Sequence, residues 1–280
     1  MNLSISQYAA SPADTVLDFL DHAAAEGYSA VAIVERALDE MSAERLAEAI
    51  AARGLTVSSL NSAGYFLQAD EAARRRQEWK NRRLLEAAPV LGAPLNLIPG
   101  GPGPGGLSVE RARAEIDAAI EAFAGAARDL GARLTLEPIH PMDLAYKGAI
   151  CQLAHAEAVC ARVPGLAITL DLFHSWWDHD LDRVLAAPGG LAVLQVCDVA
   201  CPEGAPPMRR PLGEGMMDLA RILRLAEAGG WADVYEVELF HHQLDGRPLR
   251  QVMVESREAF ARLAAAASDV RSVPSERAAG

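Results

Sequence analysis

The sequence predicts an α/β protein folded as a single (β/α)8 TIM barrel, and three observations predict it. Eight short apolar runs alternate with eight longer amphipathic stretches between Leu3 and Ala266, which is the content of eight βα units. The first run leads into Tyr8-Ala9-Ala10-Ser11, without the glycine-rich phosphate turn that opens a doubly wound sheet. Three of the last four runs end in an acidic residue, at the end of the strand where a barrel builds its active site.

In chain order the expected strands are Leu3–Gln7, Ala30–Val34, Thr56–Leu60, Pro94–Ile98, Arg133–Glu137, Ala167–Asp171, Ala192–Val196 and Val234–Glu238. Each is read as apolar on both faces, as strands of a parallel sheet covered by helices should be. The expected helices are Pro12–Glu26, Ser42–Arg53, Asp70–Leu91, Val109–Leu130, Gly148–Val163, Asp180–Ala187, Asp218–Ala228 and Leu249–Ala266. Capping residues such as Ser11 and Ser108 open them, and glycines such as Gly27, Gly54, Gly92 and Gly131 close them. Residues 1–267 are thus read as the barrel and 268–280, polar and without apolar period, as a disordered tail.

Composition narrows the function classes. Apolar residues are 51% and charged residues 23% of the 280, ordinary for a globular enzyme, and no apolar run reaches the ~20 residues of a membrane span. The first residues lack the basic and apolar regions of a secretory signal, so a cytoplasmic address is expected. Four cysteines at spacings of nine and four within the two close pairs do not form a zinc pattern and are read as reduced thiols. A net charge of −12 with only two lysines, Lys80 and Lys147, would repel a phosphate backbone, so no nucleic-acid partner is expected. Association into a homo-oligomer is left open.

The chemistry gathers at the strand ends. Strand five closes with Glu137-Pro138, strand six with Asp171 and strand eight with Glu238, while strand seven carries Gln195-Val196-Cys197-Asp198. Carboxylates converging on one mouth repel each other unless a cation sits among them, and oxygen donors favour a hard divalent ion. Glu236 shares a strand face with Glu238 and competes with it as the inward acid. Glu238 is chosen because it is nearer the mouth. His140, His179, His241 and His242 have no ligand spacing and are read as loop residues. Trp176-Trp177, Tyr65 and Phe66 suit either a sugar ring or loop packing.

Glu137-Pro138, Asp171-Leu172-Phe173-His174, Gln195-Val196-Cys197-Asp198, Arg209 with Gly213-Glu214-Gly215, and Glu238 together resemble the xylose isomerase-like sugar isomerase/epimerase superfamily. The resemblance implies Glu137, Asp171, Gln195 and Glu238 as ligands of one divalent metal, Mn2+ or Mg2+ with Co2+ also admitted. It implies that His174 and Arg209 contact substrate. Two departures stand out. Many relatives have histidine where Gln195 stands, and the insertion Val199–Met208 leaves the register of Arg209 against Arg210 open.

Two glutamates flanking a metal suit proton transfer beside a carbonyl. The expected activity is therefore isomerisation or epimerisation of a small polyhydroxy carbonyl compound, a sugar, keto-acid or inosose, with Glu137 and Glu238 as the acid/base pair. The alternative is a dehydratase or lyase that eliminates water or an alkoxide from a keto-inositol or 3-keto-sugar. A multi-zinc endonuclease would need strand-end histidines and a basic groove, which this chain lacks.

Overall fold

A computed structural model describes residues 2–103 and 106–269. Its parallel strands β1 (Leu3–Ser6), β2 (Ala30–Val34), β3 (Thr56–Gly64), β4 (Leu95–Ile98), β5 (Leu134–Leu136), β6 (Leu166–Asp171) and β7 (Leu191–Val196) come first in the chain. After a two-stranded antiparallel hairpin, β8 (Asp198–Ala200) and β9 (Met208–Arg210), the last barrel strand is β10 (Tyr235–Val237). The barrel closes in the order β1-β10-β7-β6-β5-β4-β3-β2, so the expected fold class is the observed one.

The helices are α1 (Val16–Ala25), α2 (Ala37–Glu40), α3 (Ala43–Ala51), α4 (Glu71–Leu91), α5 (Val109–Leu130), α6 (Leu153–Arg162), α7 (Leu172–Ser175), α8 (Leu181–Ala186), α9 (Leu219–Ala228) and α10 (Leu249–Asp269). The single turns α2 and α7 were not expected, being too short to show a period. Ser108 does cap α5 by accepting from the Arg111 N–H. Ser11 does not cap α1: Thr15 does so, in a reciprocal box with Asp18, and the helix begins later than Pro12. Gly92 and Gly131 end α4 and α5 in the left-handed conformation, at φ +63° and +69°. Residues 148–152 precede α6 as a loop, where Gly148 lies so close to Ile139 that an added Cβ would fall 2.3 Å from its Cβ. Of the expected tail, 268 and 269 continue α10 and 270–280 lie outside the described residues.

The strands are not apolar on both faces. Leu3-Ser4-Ile5-Ser6, Leu95-Asn96-Leu97, Leu134-Thr135-Leu136, Leu194-Gln195-Val196 and Tyr235-Glu236-Val237 alternate strictly. The apolar members join the hydrophobic core. The polar ones are fully buried and bond one another inside the barrel, as with Ser4 Oγ to Ser58 Oγ at 2.7 Å and Thr169 Oγ1 to Thr135 Oγ1 at 2.8 Å. Buried polar groups must find partners, and here they find them in a layer beneath the barrel mouth.

Candidate active site

Parallel pairing sets Asp171 beside Gln195 and Gln195 beside Glu236. Glu137 and Glu238 follow the last residues of β5 and β10. Two residues along a strand is one step along the same face, so Glu236 and Glu238 both point inward at different depths. Glu238 lines a small cavity of about 40 Å3 together with Glu137, His174, Arg209, Lys147 and Tyr8. Glu236 lies below, accepting hydrogen bonds from Ser58 Oγ at 2.7 Å, Ser59 Oγ at 2.8 Å and Gln195 Nε2 at 2.8 Å. Four acids, Glu137, Asp171, Glu236 and Glu238, are therefore buried around one strand-end chamber.

The cation that meets them directly is Arg209. Its Nη1 donates to Asp171 Oδ1 at 2.9 Å, and its Nη2 contacts both Asp171 Oδ2 and, at 2.7 Å, Glu238 Oε2. The guanidinium is held between the rings of Phe173 and Phe240, 4.6 and 4.9 Å from their centroids. The insertion resolves the register. It forms the β8–β9 hairpin, in which Val199 pairs Arg209 and Asp198 pairs Arg210, so Arg209 turns inward and Arg210 pairs at the surface with Asp245 and Glu214. Arg209 bridges two acids, which leaves Nε as its buried donor without a partner among the described residues.

Asp198 has a different task from its neighbours. Its carboxylate accepts from the N–H groups of Gly213, Gly215 and Met217 at 3.1, 2.9 and 3.1 Å. A Cβ on Gly215 would lie 2.3 Å from Asp198 Oδ1, so the Gly-x-Gly motif is a fold requirement that anchors the hairpin carrying Arg209.

Electrostatics separate the acids. Burial, with Asp171 nearby, pushes the Glu137 carboxyl up to about 8 despite its hydrogen bond from Asn96. Burial also raises Glu238 well above the usual carboxylate range, and the Arg209 guanidinium offsets this only in part. Burial pushes Asp171 the same way, but there Arg209 and its hydrogen bonds prevail and hold the group below its ordinary value. His174 is lowered by burial to about 3, so its ring is neutral at physiological pH. The His140 N–H donates to His174 Nδ1 at 3.1 Å, which leaves the ring proton on Nε2.

Glu137, Asp171 and His174 offer ligand atoms within 4.8 Å of one another, a group able to hold a divalent ion. The tautomer modifies that grouping: a protonated Nε2 facing Glu137 Oε1 at 3.5 Å and Asp171 Oδ2 at 3.8 Å is a donor, not a ligand. Gln195 carries a neutral oxygen on the strand beside Asp171. Its Nε2 donates to Glu236 and Glu238, while its Oε1 is buried with no partner among the described residues. Glu137 and Asp171, with the unpartnered Gln195 oxygen on the strand beside Asp171, are donors suited to a hard cation, whereas Glu238 lies outside that close group and is held by Arg209 and Gln195.

Sequence reasoning missed Tyr8, Asn61, Asn96 and Lys147. Tyr8 follows β1 and lines the chamber, and the asparagines bond beneath it. For Asn96 the signal was the strict alternation of β4, Leu95-Asn96-Leu97; Tyr8 and Lys147 lie outside the strands and carried none. Trp176 packs against the core and Trp177 Nε1 donates to the His174 carbonyl at 2.9 Å, so both stabilise the loop after β6. The four cysteines are free thiols. No helix among the described residues is long and apolar enough to cross a membrane.

No curated protein matches the sequence. Among solved structures, a protein from Sinorhizobium meliloti 1021 is 28% identical with a TM-score of 0.85, covering 94% of this chain and 98% of its own. An IolI protein with a bound zinc atom is 18% identical with a TM-score of 0.79, covering 98% and 100%. An L-ribulose 3-epimerase is also 18% identical, with a TM-score of 0.77 and coverage of 99% and 100%. The family model of the xylose isomerase-like TIM barrel matches residues 20–263. The chain belongs to the xylose isomerase-like TIM-barrel family.

Proposed function

We propose that this protein is an isomerase or epimerase that moves a carbon-bound proton beside the carbonyl of a small polyhydroxy compound. One observation carries the reading: two buried glutamates from non-adjacent strands, Glu137 and Glu238, line the same cavity, and burial raises both carboxyls above the usual carboxylate range, Glu137 to about 8. A catalytic acid/base works best with a pKa near the working pH, and an ordinary surface glutamate would be a weaker base.

A divalent ion would be held by Glu137, Asp171, Gln195 Oε1 and Glu238. Bound there, it would polarise the carbonyl and acidify the adjacent C–H. The protein's own groups do the rest. One glutamate takes the proton from carbon, and the other returns it at the neighbouring carbon or from the opposite side. His174, neutral with its proton on Nε2, donates a hydrogen bond to a substrate oxygen without surrendering a charge. Arg209 fixes the Asp171 and Glu238 carboxylates, and its free Nε–H is available to a substrate hydroxyl. A wider basin of about 530 Å3, lined by Tyr8, Ser62, Tyr65, Lys80 and His241, opens beside the chamber and gives the rest of the molecule room. The L-ribulose 3-epimerase and the 3-keto-D-glucoside 4-epimerase from E. coli among the structural neighbours act on compounds of this kind.

The test is deuterium uptake from heavy water, with Mn2+ present, over a panel of ketoses, inososes and 3-keto-glycosides. At least one compound should exchange a carbon-bound hydrogen. Glu137→Gln and Glu238→Gln should each slow that exchange by about 100-fold or more, the usual range for a lost acid/base group. Exchange that survives both substitutions, or that occurs with none of the panel, would contradict the reading.

A further inference from the structure

A primary amide presents two chemically opposite ends, and only the oxygen can bind a cation. Gln195 can serve a cation only through Oε1, which is buried without a partner among the described residues, so its use as a ligand depends on how the amide is turned. On the side away from that oxygen, Nε2 lies 2.8 Å from Glu236 Oε1 and 3.0 Å from Glu238 Oε1. Turning the amide over would set its oxygen against Glu236 Oε1, on a carboxylate whose other oxygen already accepts from Ser58 and Ser59, and would strand both N–H donors in a buried site.

Glu236 is itself fixed by the polar layer. Asn96 Nδ2 donates to Glu137 Oε2 and, at 3.0 Å, to Asn61 Oδ1; Asn61 Nδ2 donates to Ser59 Oγ at 2.8 Å; and Ser59 Oγ donates to Glu236 Oε2 at 2.8 Å. Thr135 Oγ1 completes the set by donating to Asn96 Oδ1 at 3.3 Å, so each amide has one orientation. A continuous chain of hydrogen bonds thus runs from Glu137 beneath the chamber to Glu236, through Gln195 and up to Glu238. Every residue in it is buried, and besides its two ends, Glu137 and Glu238, only Glu236 carries a carboxylate.

We infer that Glu236 is a positioning residue that locks the Gln195 amide with its oxygen toward the metal, making glutamine a competent ligand on strand seven; this rests on the metal reading above. Glu236 does not touch the ion or the substrate. Its carboxylate, an acceptor only, discriminates between the two ends of the amide, and a side chain with its own N–H would not. Outer partners of this kind alter metal affinity by about 10–100-fold when removed.

The experiment is a double-mutant cycle read by calorimetric Mn2+ affinity of the full-length protein, with circular dichroism to confirm folding. Glu236→Gln should weaken Mn2+ binding at least tenfold, because its amide can donate to Gln195 Oε1 and turn the ligand away. In a Gln195→Ala background the same substitution should change affinity less than twofold, since the group it positions is gone. An equal loss in both backgrounds would mean that Glu236 acts through its charge and would overturn the inference. Unchanged affinity in Glu236→Gln would overturn it too. If Glu236→Gln fails to fold, Glu236→Asp retains the charge but withdraws it from Nε2, and should show the same loss and the same dependence on Gln195. A parent that binds no Mn2+ would remove the metal reading itself and with it this inference, whereas a parent that binds normally beside an indifferent Glu236→Gln isolates the fault to Glu236.

Discussion

Glu137 joins the barrel's electrostatics to its stability. Its carboxyl is pushed up to about 8, chiefly by burial, whereas an unfolded chain has a glutamate near ~4.3. The folded, metal-free protein therefore binds the proton more tightly than the unfolded one. Linkage then requires stability to fall as pH rises through the interval between those two values, and to be unaffected by this group below it. Glu137→Gln removes the group's titration while keeping its shape and an oxygen for Asn96. In metal-free protein the variant should melt at a higher temperature than the parent at pH 8 to 9, with the gap closing toward pH 4. Thermal unfolding across that range, with chelator present, checks it. A gap that widens toward acid would mean that Glu137 is ionised and paired in the folded state. The same burial explains why the residue was legible: a glutamate closing an apolar strand, followed by proline, is costly without a purpose. His174 was legible as a functional candidate, but its role as donor was not, because the tautomer is decided by a backbone N–H from His140 on a different loop.

At the level of elements, the β8–β9 hairpin does most to shape the site. Its register sends Arg209 inward to Asp171 and Glu238 and leaves Arg210 at the surface. Removing one partner of a fully buried ion pair leaves uncompensated charge and costs about 3–5 kcal/mol, while an exposed pair is worth about 0–1 kcal/mol. Arg209→Ala should therefore destabilise the protein by several kcal/mol and Arg210→Ala by less than about 1 kcal/mol, as read from denaturant midpoints. Equal, small effects would place Arg209 outside the buried cluster. No pattern in residues 199–208 announced this hairpin. Its strands are three residues each, too short for a period, and what holds them is Asp198 reaching the backbone of the Gly213–Gly215 turn, a contact that spacing alone does not reveal. The eight barrel strands were legible because apolar runs recur between helix signals. That their inner face is polar was overlooked, although Leu134-Thr135-Leu136 and Tyr235-Glu236-Val237 display it openly. In most of the alternating strands the polar members are serine, threonine or amide side chains, which interrupt an apolar run only weakly; Glu236 is the acidic exception.

For the whole molecule, closure of the sheet is what turns scattered strand-end residues into a site. Glu137 and Glu238 are separated by a hundred residues of sequence and by β6 and β7 in the barrel order, yet both line one chamber, and the polar layer beneath them is assembled from β3, β4, β7 and β10. The central claim is that this chamber holds one divalent ion among Glu137, Asp171, Gln195 and Glu238. Calorimetric titration of Mn2+ into metal-free parent and Asp171→Ala, with far-ultraviolet circular dichroism on both, tests it most directly. The account predicts a single site per chain in the parent, lost in Asp171→Ala while the circular dichroism still shows a folded barrel. Equal, tight binding in both proteins, or no binding by the parent, would contradict it.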